Sequence, residues 1–342
     1  MVASLKIGVI GLGRMGRLYA EALATRIEGG ELYAVASLDV QERAQAASSL
    51  KVPHIFAEAG QVLALSEIDA VVIATPTSTH HDLVLAAAEA KKAIFCEKPL
   101  ALTLAQTKAA LDAVAHADVP LQVGFMRRFD AAYQRAQAMI AAGQIGEPVT
   151  FKAVSRDPFC PPCNYMDPAQ NGGLILDMAI HDFDMARWLM RSEVVQVATE
   201  GALLVCKDLA AVGDIDNALI NLRFASGALG NVEVSRNAFY GYDIRTEVLG
   251  SEGALMIGSQ QHTPVVLLTR AGAQQDTIPY LMERFGEAYH TQLQHFVTSL
   301  QQGQAPSVGG AEALAACEIG VAATLAYQKG QPVKLADLRA SE

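Results

Sequence analysis

The sequence predicts an α/β protein: a doubly wound parallel sheet of the Rossmann type at the N-terminus, then an α/β module with an open, mostly antiparallel sheet. Three observations predict it. A glycine-rich turn, Gly11-Leu12-Gly13-Arg14-Met15-Gly16, lies between an apolar run, LKIGVI, and a helical stretch, RLYAEALAT. Short apolar runs then alternate with helical patterns as far as about residue 125. Beyond residue 194 the pattern changes to strands with period-two alternation, joined by short turns.

The bulk properties agree with this division. The chain has 342 residues, of which 51% are hydrophobic and 18% charged. That length suits two domains better than one, and we place the boundary between 125 and 126. Residues 1–125 form a dinucleotide-binding domain, and residues 126–342 a domain for substrate binding and oligomerisation. The net charge is −10, which disfavours nucleic acid as a partner because acidic surfaces repel phosphate backbones. Charge or turn residues interrupt the apolar stretches before the ~20 residues that span a membrane, so no membrane partner is expected. The start MVASLKIGVIGLG lacks a basic segment, an apolar core and a cleavage site, so a cytoplasmic location is the expectation.

The glycine turn has a chemical meaning. Gly11 permits the tight turn, Gly13 lets backbone approach a pyrophosphate, and Gly16 lets helix and strand pack closely. The N–H groups at the helix start favour anionic phosphates. A second strand at 31–38 ends at Asp39, 23 positions after Gly16. That is near the ~20-residue interval of an acidic ribose ligand. A carboxylate there accepts from ribose hydroxyls and repels a 2′-phosphate, so NAD is expected over NADP. Asp39 is equally placed to cap the helix at 40–50, and the two roles are compatible.

Further strands are expected at 69–74, 92–96 and PLQVGF, with helices from TPTSTHHDLVLAAAEA and TLAQTKAALDAVAHA. Alternation at this interval gives a parallel sheet covered on both faces. Ligands of such sheets bind beyond the carboxyl ends of the strands. Thr75, Pro76, Glu97, Lys98 and Arg127 all follow predicted strands, which gives them one address. Pro99 restricts Lys98 to an extended backbone; an exposed Glu-Lys-Pro turn has the same sequence.

In the second module a helix is expected at about 129–142, a strand in VTFKAVSRD, and a loop with four prolines at 158–168. Asn171-Gly172-Gly173 then leads into a helix, GLILDMAIHDFD. On it Asp177 and His181 share one face, and Asp184 extends that face by a turn. A buried histidine satisfied by a neighbouring carboxylate is the plain alternative. The glycine pair favours an acid–base role, because it allows close approach of a bulky ring. NALINLRF alternates, with Ala218, Ile220, Leu222 and Phe224 on one face. Two helices near 285–302 and 310–328 close the chain.

Five cysteines spread over the chain argue against a disulfide framework. Cys160 and Cys163 have CxxC spacing, but no second pair supplies a metal site. They are expected to be two thiols in a loop, and no metal is expected.

These parts suit oxidation of a secondary alcohol. His181 takes the hydroxyl proton, its reference pKa of ~6.5 suiting neutral pH. Lys98 stabilises the developing alkoxide. Asp177 orients the substrate or the imidazole. The sequence leaves open which of Lys98 and His181 holds the proton first.

With these residues in view, the chain resembles the Gfo/Idh/MocA family (glucose–fructose oxidoreductase/inositol dehydrogenase). The likeness runs over VIGLGRMG, ATPTSTHHD, CEKPL, VGFMRRFD and GGLILDMAIHDFDMARWL. Within the family it is most similar to inositol 2-dehydrogenases, through VGFMRRFD, the glycine-pair helix and YGYDIRTEVLGSEG. The resemblance implies a catalytic set falling on Lys98, Asp177 and His181. It implies cofactor contacts at Gly11 to Gly16, Asp39, Thr75, Pro76, His80, Glu97 and Arg127. It also implies polyol contacts from the strand near 150–157 and the tyrosines near 240. Adding these to the catalytic set, the candidate substrate residues are Lys98, Arg127, Ser155, Asp157, Asp177, His181, Tyr240 and Tyr242. A homotetramer built through the open sheet is a further implication.

The chain departs from the inositol dehydrogenase pattern at Ser155-Arg156-Asp157 and in the proline-rich loop. Both departures fall on the substrate side, so scyllo-inositol, myo-inositol and an equatorial-hydroxyl pyranose are all admitted. An NAD-dependent glycosidase or a dehydrogenase of another aldose is the competing enzyme. A non-catalytic dinucleotide-binding regulator has no need of the three polar residues together.

Overall fold

The computed structural model describes residues 4–162 and 166–340. The chain forms two compact units. The first contains the residues through Met126 together with Ala288–Leu314. The second contains Arg127–Glu287 and the residues from Ala315 onward.

The first unit begins with β1 (Leu5–Ile10), α1 (Arg14–Thr25) and β2 (Gly30–Ala36). Next come α2 (Val40–Ser49), β3 (His54–Phe56) and α3 (Ala59–Leu63). Then follow β4 (Ala70–Ile73), α4 (His80–Glu89), β5 (Ala93–Cys96), α5 (Leu104–Ala117) and β6 (Leu121–Val123). Polar residues set the helix starts. Asp39 caps α2 by accepting from Gln41 and Glu42 N–H groups, and Thr103 caps α5 through Gln106 N–H. The strands are short and mostly apolar because both faces of the sheet are covered. Their order is β3-β2-β1-β4-β5-β6, and every pairing is parallel, as the sequence alternation predicts. The order reverses between β1 and β4, which is the switch point where such sheets open a crevice.

Residues 288–314 join this unit through packing that no local pattern announces. Phe296 meets Phe95 edge-on at 5.8 Å, and Phe95 meets Tyr19 at 5.2 Å. Gln292 donates to Tyr19 Oη, and Gln122 donates to the Gln292 carbonyl. The sequence division at 125/126 assigned this stretch to the second module.

The second unit opens with α6 (Ala131–Ala141), capped by Asp130, and β7 (Pro148–Arg156). The short helices α7 (Pro168–Asn171), α8 (Gly173–Met178) and α9 (Ile180–Met190) follow. The strands are β8 (Val194–Ala202), β9 (Asn217–Phe224), β10 (Leu229–Ser235), β11 (Asp243–Gly250) and β12 (Ala254–Ile257). β13 (Gln261–Thr269) and β14 (Gly272–Thr277) make a separate hairpin. Then come α10 (Leu281–Gln301), α11 (Gly310–Lys329), β15 (Val333–Lys334) and α12 (Leu335–Ala340).

Seven strands form one mixed sheet in the order β12-β11-β7-β10-β9-β8-β15. All its pairings are antiparallel except β7 with β10. The alternation in β9 sorts Ala218, Ile220, Leu222 and Phe224 into the core and Leu219, Asn221 and Arg223 outward. Helices α8 and α9 lie on β7, β9 and β10, and Phe151, Phe183, Leu189 and Val232 fill the space between.

Helix α11 is long and apolar enough to cross a membrane by length and composition alone, but Glu312 and Glu318 interrupt its apolar residues. Much of that apolar surface is occupied, because Ala313, Ala316, Ile319, Ala322, Ala323 and Ala326 are buried within the protein. Cys160 is not a loop thiol: it is joined to Cys206 in a disulfide across 46 residues. Cys163 lies outside the described residues.

Candidate active site

In the first unit the sheet register builds the site. Ile10 pairs with Ile73, Ile73 with Cys96, and Cys96 with Val123. The residues that follow, Gly11, Ala74, Glu97 and Gly124, therefore stand side by side at the carboxyl edge. Backbone bonds continue the ladder there: Ala74 N–H donates to Ile10, Glu97 N–H to Ile73 and Gly124 N–H to Cys96.

The glycine turn is specified by geometry. Gly11 has φ +89°, and a side chain on it would lie 2.7 Å from the Ala74 carbonyl oxygen. A Cβ on Gly16 would collide with the Gly11 carbonyl. Gly13 is exposed, and its nearest neighbour would be Glu42 Oε1 at 3.9 Å. It is the N-cap of α1, and no side chain caps that helix. The first turn thus presents backbone N–H groups beside an open cradle, which is the chemistry a pyrophosphate needs. Leu12 is buried beneath the turn, Met15 is half-buried and Arg14 is exposed.

At the end of β2, Asp39 Oδ1 accepts both cap bonds, at 2.6 Å from Gln41 N and 3.1 Å from Glu42 N. Oδ2 takes no hydrogen bond from the described residues, so capping and ribose recognition can coexist on one carboxylate. Ser37 Oγ holds Glu42 at 2.5 Å beside it. These residues fit a dinucleotide.

Lys98 follows β5 and is half-buried. Its backbone N–H donates to Glu97 Oε2 at 3.1 Å. Glu97 is itself buried and hydrogen-bonded to Tyr19 Oη. Burial raises its pKa, against the pull of the Tyr19 hydroxyl and Lys98. His80 is 1% exposed, with Nδ1 2.7 Å from the Pro99 carbonyl and Nε2 2.9 Å from the Thr75 carbonyl. The Thr75-Pro76 turn and the Lys98-Pro99 turn are therefore fastened through one ring. His80 acts as a brace beneath the edge, while Thr75 and Pro76 line it. Thr75 Oγ1 also accepts from Thr79 at 2.7 Å.

In the second unit Asp177 lies in the last turn of α8 and His181 in the first turn of α9, with Ala179 between the helices. The expected single helix is thus two consecutive ones, joined by backbone bonds from Ala179 to Ile175 and from Phe183 to Ala179. Asp177 keeps 27% side-chain exposure. His181 is 9% exposed. The other carboxylates of this stretch are wholly buried and bound to arginines. Asp182 accepts from Arg127 Nη1 at 2.5 Å, and Asp184 accepts from Arg128 at 2.8 and 2.6 Å. Asp184 is buried, and its carboxylate is taken up by Arg128. The consecutive arginines of VGFMRRFD grip alternate carboxylates of the HDFD segment.

Arg127 and Ser155 occupy this same buried network. Arg127 Nη2 donates to Ser155 Oγ at 3.1 Å, and Ser155 donates to Asp182 Oδ2 at 2.7 Å. Arg127 is 2% and Ser155 1% exposed. Burial disfavours the guanidinium charge, but Asp182 outweighs it and holds the pKa above its ordinary value. Both residues support the strand and helix rather than present polar groups outward. Asp157, just past β7, is fixed by its backbone to Ser235 and Ala238. Tyr240 is exposed, accepts from Arg156 at 2.8 Å and donates to Asp243 at 2.7 Å. Tyr242 is buried against Tyr280 and Phe285.

The glycine pair before Asp177 has a different cause from the one expected. Both residues have positive φ, +90° and +72°. A side chain on Gly172 would strike Leu176, and one on Gly173 would sit 2.9 Å from Asp214 Oδ1. The pair serves the turn and its own packing, so it carries no argument about a ligand ring.

Sequence reasoning missed Arg236 and Asp214. Arg236 is 1% exposed and donates from Nη2 to Asp177 Oδ2 at 3.3 Å. Asp214 Oδ1 accepts from Leu174 N–H at 3.1 Å, and burial raises its pKa against that bond and Arg236. Nothing local marks either residue, since the arginine follows an ordinary strand and the aspartate an ordinary loop.

A dinucleotide-binding sheet carrying a lysine at its carboxyl edge, with a second α/β unit bearing an aspartate–histidine pair, defines a class of nicotinamide-dependent oxidoreductases. The chain belongs to the Gfo/Idh/MocA oxidoreductase family. Residues 5–125 match its NAD-binding Rossmann fold, and residues 137–335 match its C-terminal alpha/beta domain. The chain is 42% identical to the scyllo-inositol 2-dehydrogenase (NAD(+)) of Bacillus subtilis, covering 98% of this chain and 97% of that protein. It is 38% identical to the myo-inositol 2-dehydrogenase of Thermotoga maritima, covering 98% and 99%. A solved structure of scyllo-inositol dehydrogenase from Lactobacillus casei, with bound NAD(H) and scyllo-inositol, is similar at TM-score 0.92 and 30% identity. That match covers 97% of this chain and 99% of the other.

Proposed function

We propose that the protein is an NAD-dependent dehydrogenase that oxidises a ring secondary alcohol of a cyclic polyol, scyllo- or myo-inositol, to the inosose. The observation that carries this reading is the likeness, over almost the whole chain, to NAD-dependent inositol 2-dehydrogenases. The glycine cradle, the uncapped start of α1 and Asp39 support the cofactor assignment.

The turn from Gly11 to Gly16 holds the pyrophosphate, Asp39 the adenosine ribose, and Thr75 and Pro76 the edge beside them. NAD, when bound, supplies the acceptor for the carbon-bound hydrogen. The chain's own residues handle the hydroxyl. His181 takes its proton, Lys98 stabilises the oxygen as negative charge develops, and Asp177 accepts a hydrogen bond that orients the ring. Glu97 and His80 hold the lysine turn in place, which fixes the geometry on which rate depends. Asp157 and Tyr240 are proposed polyol contacts, with Tyr242 shaping the wall behind them.

The protein acts as a cytoplasmic homotetramer in this reading. Leu219, Leu229, Leu249 and Met256 are exposed on strands of the open sheet, and a face of that kind is suited to pairing between subunits.

The test is reduction of NAD, followed at 340 nm, against a panel of inositols and aldoses. Stoichiometric NADH with a free inositol supports the dehydrogenase. Cleavage of a glycoside without net NADH would replace it with the glycosidase. Lys98→Ala is expected to lower turnover by ~100-fold or more while leaving NAD affinity nearly unchanged, as loss of one charge-stabilising donor does.

A further inference from the structure

We infer that Arg236 is a positioning residue, which acts on the substrate hydroxyl through Asp177. This rests on the reading of Asp177 as a group that faces the polyol.

Arg236 follows β10, and its backbone N–H is anchored to the Asp216 carbonyl at 2.9 Å. Its side chain is among the largest fully buried ones in the protein. Burying a guanidinium is expensive unless it is paired. Two other arginines of the second unit, Arg127 and Arg128, are each paired with a carboxylate that is 0% exposed. Arg236 is different. Its partner, Asp177, keeps 27% side-chain exposure, so a wholly buried cation is joined to a carboxylate that reaches the surface of the unit.

A second carboxylate lies within the electrostatic reach of Arg236. Asp214 is buried and interacts with both Arg236 and Asp177. Its Oδ1 is bound to Leu174 N–H at the start of α8, the helix that carries Asp177 in its last turn. Two polar atoms of this group, Arg236 Nε and Asp214 Oδ2, are buried and have no hydrogen-bond partner among the described residues. The group thus joins one buried cation to two carboxylates, of which Asp214 is buried and Asp177 is partly exposed.

The consequence is directional. With Oδ2 held by Arg236 Nη2, the Asp177 carboxylate cannot rotate freely, and it stays suited to accept from a hydroxyl. A misplacement of about 1 Å in such a group lowers rate by about 100-fold. The effect is expected on the polyol, because Asp177, the group Arg236 holds, is the one proposed to accept from its hydroxyl.

The experiment compares wild type, Arg236→Gln, Arg236→Lys, Asp177→Asn and the double variant Arg236→Gln/Asp177→Asn. Steady-state constants are measured for NAD and for scyllo-inositol, NAD affinity by calorimetry, and melting temperature for each variant. Arg236→Gln is expected to lose about 100-fold in kcat/KM for the polyol, with NAD affinity within about twofold of wild type. Arg236→Lys is expected to recover at least about tenfold of that loss, since it restores a donor to Asp177. The double variant should be no slower than Asp177→Asn alone, because the arginine has nothing left to position.

Retention of polyol kcat/KM in Arg236→Gln within about threefold overturns the proposal. So does a loss that adds to that of Asp177→Asn. If Arg236→Gln does not fold, Arg236→Met, which keeps the length of the side chain but removes every donor, decides: wild-type polyol kinetics in a protein with a shifted melting temperature mean a purely structural role. Full activity of Asp177→Asn would instead remove Asp177 from the site and take this proposal with it. Absence of turnover by wild type on every polyol would overturn the functional reading itself.

Discussion

The imidazole of His80 joins the turn after β4 to the turn that carries Lys98, with Nδ1 2.7 Å from the Pro99 carbonyl oxygen. Two loops separated by a whole strand–helix unit thus share one rigid fastening at the carboxyl edge of the sheet. Burial, assisted by the neighbouring Lys98 charge, holds the ring's pKa below its ordinary value against the two carbonyls that favour protonation.

That depression has a pH consequence. The unfolded chain binds the proton more tightly than the folded one. The His80 contribution to stability is therefore complete above the unfolded pKa of ~6.5 and is lost as pH falls through the lower folded value. Melting temperatures of wild type should drop on acidification below ~6.5 more steeply than those of His80→Asn. The variant should also be about tenfold slower, because the Lys98 turn loses its brace. Parallel melting curves for the two proteins would show that the ring is not held neutral.

Asp39→Ala separates two functions of one carboxylate. Loss of the cap is expected to lower stability by ~1 kcal/mol. Loss of the charge at the end of β2 should narrow the preference for NAD over NADP, measured as the ratio of kcat/KM for the two cofactors. An unchanged ratio would leave Asp39 a cap and nothing more.

The buried Arg127–Asp182–Ser155 group gives an energetic prediction. Arg127→Met leaves Asp182 buried without its cation, and the expected loss is ~3–5 kcal/mol in urea unfolding. Removing both charges in Arg127→Met/Asp182→Leu should be milder than the single change, since no uncompensated charge is left inside. Additive losses would show that the two residues do not act as a pair.

The Cys160–Cys206 disulfide closes a loop with a sequence separation of 46. Chain-entropy arguments put its contribution at about 4 kcal/mol. Reduction, or Cys206→Ser, should lower the melting temperature by several degrees, and non-reducing peptide mapping should recover the crosslinked pair. Identical melting with and without reductant would show that the crosslink contributes nothing.

Much of this molecule is written locally. The glycine turn, the strand–helix alternation and Asp39 at a strand end depend on neighbours along the chain, so LKIGVIGLGRMG could be read without coordinates. The alternation of NALINLRF fixed which side of β9 faces the core for the same reason. Lys98, Asp177 and His181 stood out because their residue types sit at element ends.

Tertiary structure decided what links distant positions. Arg127 is marked in sequence only by its place after β6, and the fold alone reveals that its guanidinium pairs with Asp182, 55 residues on. Gly172-Gly173 looked like room for a guest, but Leu176 and Asp214 already crowd it. Cys160 looked free because its partner is far along the chain. Residues 288–314 looked like part of the second module, yet their aromatic and amide contacts are with Tyr19, Phe95 and Gln122. Arg236 carried no mark at all until folding set it against Asp177, 59 positions away. Backbone conformation and side-chain alternation are dictated by adjacent residues and so leave a periodic trace in sequence. Pairing of buried charges is dictated by which segments the fold brings together, and that leaves none.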